Sequence, residues 1–212
     1  ATTEIYTLSL HDALPIFGIT LTYLSLVVLL PLAALALRAR TIPWADFVTA
    51  VASPRGLSAL LLSLGASLAA ALINTVFGLL LAWVLVRYRF RGRGLLDAAV
   101  DLPFALPTAV AGIALTAVFA PDAPVGGALA SVGAQAAFSR LGVVIALVFV
   151  SLPFVVRTVM PVIEEIDPQE EEAAAALGAS RWLTLRRVIL PGLLPALVTG
   201  FALSFARAIG EY

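Results

Sequence analysis

Residues 57 to 86 read LSALLLSLGASLAAALINTVFGLLLAWVLV, a run of thirty residues without one charged side chain. A helix needs about 20 apolar residues to cross a hydrocarbon layer roughly 30 Å thick, because each residue adds about 1.5 Å. The run therefore predicts a membrane-spanning helix. Because it is longer than a bilayer requires, we expect it to tilt or to project beyond the membrane surface.

The composition of the whole chain leads to the same class. Hydrophobic residues make up 61% of the 212 residues and charged residues 12%, and the mean hydropathy is +1.05. A water-soluble domain must cover its apolar core with polar groups, and a chain of this length and composition has too few of them. The sequence therefore predicts an all-α integral membrane protein whose main solvent is lipid.

Five stretches are long and apolar enough to be spans. They are approximately Phe17 to Leu37, Leu57 to Val86, Asp101 to Ala120, Leu141 to Met160, and Val188 to Ala208. Arginine placement orients them, since loops on the cytosolic side retain positive charge near the span ends. Eight arginines fall on one side: Arg87, Arg89, Arg91, Arg93, Arg157, Arg181, Arg186 and Arg187. Four fall on the other: Arg38, Arg40, Arg55 and Arg140. The start of the chain and residues 161 to 187 are thus predicted to be cytosolic.

Residues 1 to 16, ATTEIYTLSLHDALPI, do not resemble the rest of the chain. They lack the basic start and the small-residue cleavage site of a signal peptide. We interpret them as a non-native tail, of the kind produced when adapter DNA is translated, with an unusual cytosolic tail as the alternative. Residues 17 to 212 are then the transmembrane domain.

Residue usage excludes several activities. The thirteen basic residues are all arginines, so the chain lacks the lysine of a P-loop, and ATP chemistry must come from another chain. Cysteine is absent and His11 is the single histidine, which leaves no thiol nucleophile and no His-Glu-x-x-His zinc site. We therefore expect no enzyme activity, no metal site, no bound cofactor and no nucleic-acid partner.

The segment EEIDPQEEEAAAALGASRWLTLRRVILP, residues 164 to 191, predicts a short helix outside the membrane. Asp167 suits the N-cap and Pro168 the first helical position, while Glu171 and Glu172 add negative charge near the positive end of the helix. Alanines follow, and Gly178 suits a left-handed exit. Such a small-faced helix allows another protein to approach closely, and its displacement is expected to move the following span.

This segment resembles the EAA loop of ABC importer permeases. The matching residues, in the spacing of that motif, are Glu172, Ala173, Ala174, Gly178, Val188, Leu190 and Pro191, with valine at 188 in place of isoleucine. The resemblance implies a coupling helix that docks into a cleft of the ATPase, and it gives that role to this set together with Glu171. An ordinary solvated amphipathic helix is the alternative.

Three further segments resemble the T-subunit permeases of sulfate/thiosulfate importers: DLPFALPTAVAGIAL (101 to 115), INTVFGLLLAWVLVRY (73 to 88) and GFALSFARAIGEY (200 to 212). Molybdate and tungstate permeases share the architecture and stay an alternative. The resemblance implies the type I importer fold, with five of six expected spans present and the last one missing. It also implies an inner-membrane location, a cassette ATPase dimer that binds ATP and Mg, a homologous second permease and a periplasmic sulfate-binding protein.

Four residues are candidates for the passage or its gate. Pro103 and Pro107 either bend the third predicted span or only shape its entry. Arg207 either attracts a divalent oxyanion or forms a local ion pair with Glu211, four residues further along the helix.

Small and polar residues of the second predicted span, Ser63, Ser67, Ala71 and Asn74, indicate close helix packing with interhelical hydrogen bonds, with a substrate site as the alternative. Two other protein classes are less compatible with the sequence. A self-contained secondary transporter needs ionisable residues at mid-membrane, and the middles of the predicted spans lack charges. An intramembrane enzyme lacks its nucleophile or metal ligands.

Overall fold

A computed structural model describes residues 10 to 211, and all regular structure in that range is helical. The helices are α1 (Leu10–Leu24), α2 (Leu30–Arg40), α3 (Trp44–Ala52), α4 (Pro54–Arg87), α5 (Arg93–Ala105), α6 (Thr108–Val118), α7 (Pro124–Ser131), α8 (Arg140–Glu165), α9 (Pro168–Ala176), α10 (Arg181–Thr184) and α11 (Leu190–Ile209). π-Helical turns at Ser25–Leu29 and Leu185–Ile189 join α1 to α2 and α10 to α11. The proposed non-native tail lies largely outside the described residues.

The chain divides into two compact units, residues 1 to 57 and residues 58 to 212. In the first, α1, its π turn and α2 form an apolar helix whose residues are almost all exposed. The second unit contains the packed core, which lies where α4, α8 and α11 meet.

Four of the described helical segments are long and apolar enough to cross a membrane: Pro15–Arg40, Pro54–Arg87, Arg140–Glu165 and Arg181–Ile209. The third of the five predicted spans, Asp101 to Ala120, is not one long helix. That stretch is interrupted at Leu106, which has extended backbone (φ −94°, ψ 131°), and α6 begins after Pro107. Proline disfavours helical backbone in the residue before it, so the helix ends there instead of bending.

Contacts between α4, α8 and α11 recur at four-residue intervals. Leu147 packs with Ala66, Ala70 and Ala208 at one level. At the next level the buried Asn74 donates from Nδ2 to Ser151 Oγ (2.9 Å) and Ser204 Oγ (3.3 Å). One level further, Val155 lies between Gly78 and Gly200. α4 therefore runs parallel to α8 and antiparallel to α11.

These levels confirm the prediction that Asn74 makes interhelical hydrogen bonds. Ser67 and Ala71, predicted to pack, are fully buried, whereas Ser63 is half-buried. The glycines explain the closeness of the helices, because a Cβ at position 78 would lie 2.9 Å from Val155 Cβ. Small side chains therefore set the helix spacing, as in other membrane bundles. The same directions bring the end of α4, the end of α8 and the start of α10 to one end of the bundle.

Candidate functional site

Helix α9 begins as its sequence predicts. The Asp167 carboxylate accepts a hydrogen bond from the Gln169 N–H at 2.9 Å, and Pro168 occupies the first turn. Glu170 and Glu171 place negative charge at the helix start, where the unpaired N–H groups favour it. The nine-residue helix thus has a local cause for its first turn.

Its end is equally defined. Gly178 has a φ of 82°, a left-handed conformation that glycine adopts without a Cβ penalty. The Ala179 N–H donates to Ala174 O at 3.0 Å and the Gly178 N–H to Ala175 O at 2.9 Å, which is the hydrogen-bond pattern of a Schellman motif. Ser180 Oγ then accepts from the Leu183 N–H at 3.3 Å and caps α10. The turn between α9 and α10 is therefore short and fixed.

One face of α9 is attached to the end of α4. Glu171 Oε1 lies 2.7 Å from an Arg87 nitrogen, and both side chains are partly buried. The Arg87 guanidinium also stacks over the Trp83 ring, 5.0 Å from its centroid. Glu171, expected from sequence to face another protein, is thus paired within the chain and ties α9 to α4.

The opposite face of α9 is open. Ala173, Ala176 and Leu177 lie on it, and Leu177 is 89% exposed. Glu172 is exposed as well, whereas Ala174 is half-buried. The sequence did not single out Leu177, although a large apolar residue directly before the exit glycine is a signal for an apolar contact. The outward surface is therefore small, apolar and edged by carboxylates.

A cleft of about 660 Å³ lies between the end of α4, α9 and the start of α11. Glu171 and Glu172 contribute to its wall together with Arg181, and the rest of the wall is mostly apolar. Because Trp83 and Tyr88 also line it, the cleft has the mixed character of surface near a membrane boundary.

The motif residues Leu190 and Pro191 lie at the start of α11, immediately after the π-helical turn Leu185–Ile189. Proline lacks an N–H and crowds the carbonyl four residues earlier, so a turn wider than an α-helix relieves the contact. The same order, a π turn and then Leu30-Pro31, occurs in the first unit. Pro191 therefore shapes the connection between α9 and the last long helix.

The four candidate passage residues lie in two places, around the break between α5 and α6 and at the end of α11. Pro103 is inside α5, and Pro107 is the N-cap residue of α6. Glu211 lines a cleft of about 250 Å³ with Thr108, the residue after Pro107. Arg207 is half-buried and forms an ion pair with Glu211, as the local-pair interpretation predicts. The structure thus brings the end of α11 to the start of α6.

The sequence did not predict the ionic cluster that lies between α5 and α8. Arg157, which the sequence places near the cytosolic end of the fourth predicted span, lies inside α8, where its Nε and Nη2 donate to the two carboxylate oxygens of Asp101 at 2.8 and 2.7 Å. Its Nη1 lies 2.8 Å from an Asp97 oxygen. Three charges within apolar stretches are the signal that sequence reasoning could have used. Their pairing, 56 residues apart, required the structure.

Long apolar helices packed through small residues, with a capped helix exposed at one end of the bundle, define a helical membrane protein. The chain belongs to the family of binding-protein-dependent transport system inner membrane components, whose pattern matches residues 74 to 212. That match contains the three-helix core from Asn74 onward and all of α9.

Individual relatives are similar over most of the chain. The chain is 50% identical over 196 residues to a probable sulfate transport system permease protein cysT of Nephroselmis olivacea, which covers 92% of this chain and 69% of the relative. It is 52% identical over 194 residues to the probable sulfate transport system permease protein cysT of Chlorokybus atmophyticus, a match that covers 92% of this chain and 68% of the relative. It is 48% identical over 195 residues to the sulfate transport system permease protein CysT of Escherichia coli K12, with 92% and 70% covered.

Proposed function

We propose that this chain is the permease subunit of an ATP-driven importer that moves sulfate across the bacterial inner membrane. The observation that carries the proposal is the 48 to 52% identity to sulfate permeases over about nine-tenths of the chain. Thiosulfate is included in the proposal because it shares the charge, the tetrahedral shape and the sulfur centre of sulfate, whereas the larger molybdate anion shares only the charge and the shape. The chain itself performs no covalent chemistry and binds no cofactor in this proposal.

The mechanism follows from α9. A partner ATPase, which holds ATP and Mg, receives the outward face of α9 in a cleft, and closure of the ATPase dimer displaces the helix. α9 follows α8 after two residues, and the short Gly178 turn joins it to α10, which continues through the π-helical turn into α11, so both long helices receive the displacement. A homologous second permease completes the passage, and a binding protein delivers the anion from the other side.

Uptake of radiolabelled sulfate tests this function. The gene encoding this chain is expressed with its partner genes in a bacterium that lacks its own sulfate permease. We expect ATP-dependent sulfate uptake that excess thiosulfate inhibits and excess molybdate does not. Molybdate uptake without sulfate uptake would assign the chain to the alternative substrate class, and uptake driven by a proton gradient without the ATPase would exclude the importer.

The orientation, with α9 on the ATP side, has its own test. The chain has no cysteine, so a single introduced thiol reports its own position. An Ala176→Cys variant is expected to react with a membrane-impermeant maleimide in inverted vesicles only. An Ala130→Cys variant in α7 serves as the control that reacts in intact spheroplasts. Labelling of position 176 from outside would contradict the proposal.

The ion pair between Arg87 and Glu171 is expected to matter for transport. Reversal of one charge, Arg87→Glu, removes an attraction of about 1 kcal/mol and adds a repulsion, so sulfate uptake should fall roughly fivefold. The double variant Arg87→Glu, Glu171→Arg should recover most of the uptake because the opposite charges meet again. A double variant that transports no better than the single one would show that the pair does not hold α9.

Arg207→Gln distinguishes the two interpretations of Arg207. Since Arg207 is paired with Glu211, we expect the variant to keep sulfate uptake within about twofold of the parent, as loss of a local pair predicts. Gln135→Ala, an exposed residue in the loop before α8, provides the control for expression. A loss of uptake beyond about tenfold would instead place Arg207 in contact with the anion.

A further inference from the structure

Arg157 has more bonds than a residue that only neutralises a neighbour. All three guanidinium nitrogens are engaged: the bidentate pair with Asp101, the Asp97 contact at 2.8 Å, the Asp97 carbonyl at 3.2 Å and Met160 Sδ at 3.4 Å. A planar guanidinium held in this way fixes orientation as well as distance. Two carboxylates against one guanidinium leave the cluster net negative, so it is a poor site for an anionic substrate.

The cluster continues into an apolar contact on the same faces. Phe104 of α5 and Phe154 of α8 meet edge to face, 5.3 Å between ring centroids. Val100 is 3% exposed and belongs to the main core with residues of α8. Asp97, Val100, Asp101 and Phe104 follow the i, i+3, i+4, i+7 spacing of one helix face, so one stripe of α5 carries every one of these contacts. The result is a side-by-side attachment over about two helical turns.

The attachment ends where the backbone changes. Asp101 lies one turn before Ala105, the last residue of α5, and the extended Leu106 and the N-cap Pro107 follow. On α8, Arg157 lies eight residues before Glu165, about 12 Å from the helix end. Only Ile166 and Asp167 separate that end from α9. The Arg157 bonds therefore connect the α9 end of α8 with the segment immediately before the helix break.

We propose that Arg157 is a positioning residue for transport: it holds α5 to α8, so that α5 moves together with α8 and α9, and the change of direction occurs at Leu106–Pro107. This inference rests on the proposed transport function. Without the bonds of Arg157, displacement of α9 makes α8 slide past α5. Little of the displacement then reaches the helix break at Leu106–Pro107. Hydrolysis then continues while transport declines.

The absence of cysteine allows a switchable test within one protein. The double variant Asp101→Cys, Arg157→Cys removes the bonds, and a bifunctional methanethiosulfonate of matched length restores the attachment covalently. The assembled transporter is reconstituted in liposomes, and sulfate transported per ATP hydrolysed is measured before and after cross-linking. We expect the ratio to fall about tenfold without the cross-link and to recover to within about twofold of the parent with it.

The single variant Arg157→Cys, treated with the same reagent, is the matched control and should stay uncoupled. A double variant with the parent ratio before cross-linking, or one that stays uncoupled after it, would overturn the proposal. If the paired variant does not assemble, Asp97→Asn, Asp101→Asn keeps the side-chain sizes and removes both charges. The same fall in ratio is expected there, and a parent ratio would overturn the inference.

Failure of the proposed function gives a different result. If the parent complex hydrolyses ATP but moves another oxyanion instead of sulfate, the ratio is measured with that anion and the inference about Arg157 is tested unchanged. If the parent complex transports sulfate and the cysteine variant keeps its ratio, the function stands and the inference about Arg157 is wrong.

Discussion

An Ala173→Trp substitution is expected to lower ATP-dependent sulfate uptake about a hundredfold, while the amount of the protein in the membrane stays unchanged. Ala173 lies on the outward face of α9 beside Leu177 and is exposed, so among residues 10 to 211 no packing opposes a larger side chain there. The indole adds bulk at the centre of a well-packed interface with the ATPase, where single substitutions have their largest effects.

Measurement of uptake and of ATPase retained on the purified permease would check this result. Ala130→Trp, an exposed alanine in α7, provides the matched control and should transport normally. Normal uptake by the Ala173 variant would contradict docking through this face. A variant that keeps its ATPase but does not transport would instead place the effect of the tryptophan after docking.

Gly78→Leu is expected to prevent correct packing of the three-helix core. A Cβ at this position would lie 2.9 Å from both Cβ and Cγ1 of Val155, which is closer than real Cβ contacts. Forcing α4 away from α8 also strains the bonds of Asn74 one turn earlier. Overpacking of this kind costs about 3 kcal/mol, a large part of the stability of a typical domain.

The measurement is the midpoint of thermal unfolding in detergent, followed by the monodisperse fraction in size-exclusion chromatography. Gly65→Leu is the control on the same helix, because a Cβ there meets no atom of the described part of the chain within 4 Å. Equal midpoints for the two variants would show that the spacing of α4 and α8 does not depend on Gly78.

Local features were predictable from the sequence because their causes lie within a few residues. The membrane class follows from the length of apolar runs. The start and end of α9 follow from Asp167, Pro168 and Gly178, each acting on backbone groups close to it. The packing role of Asn74 was likewise predictable, since a lone amide in an apolar helix requires partners.

Features that depend on distant residues were not predictable. Asn74 reaches Ser151 and Ser204, 77 and 130 residues away, and nothing in the spacing of the serines identifies them. The orientation of Glu171 toward Arg87 depends on how α9 lies against α4. The interruption at Leu106 had a local signal in Pro107, but the apolar run around it favoured one continuous span.

The four-residue recurrence across α4, α8 and α11 makes the core sensitive to the length of the chain more than to its composition. One amino acid inserted into α8 between Leu147 and Val155 would turn every later side chain by about 100° and separate all the following partners at once. Four inserted together would return the face to within about 40°. Natural variants of this segment should therefore exchange side chains freely at lipid-facing positions and almost never gain or lose a residue.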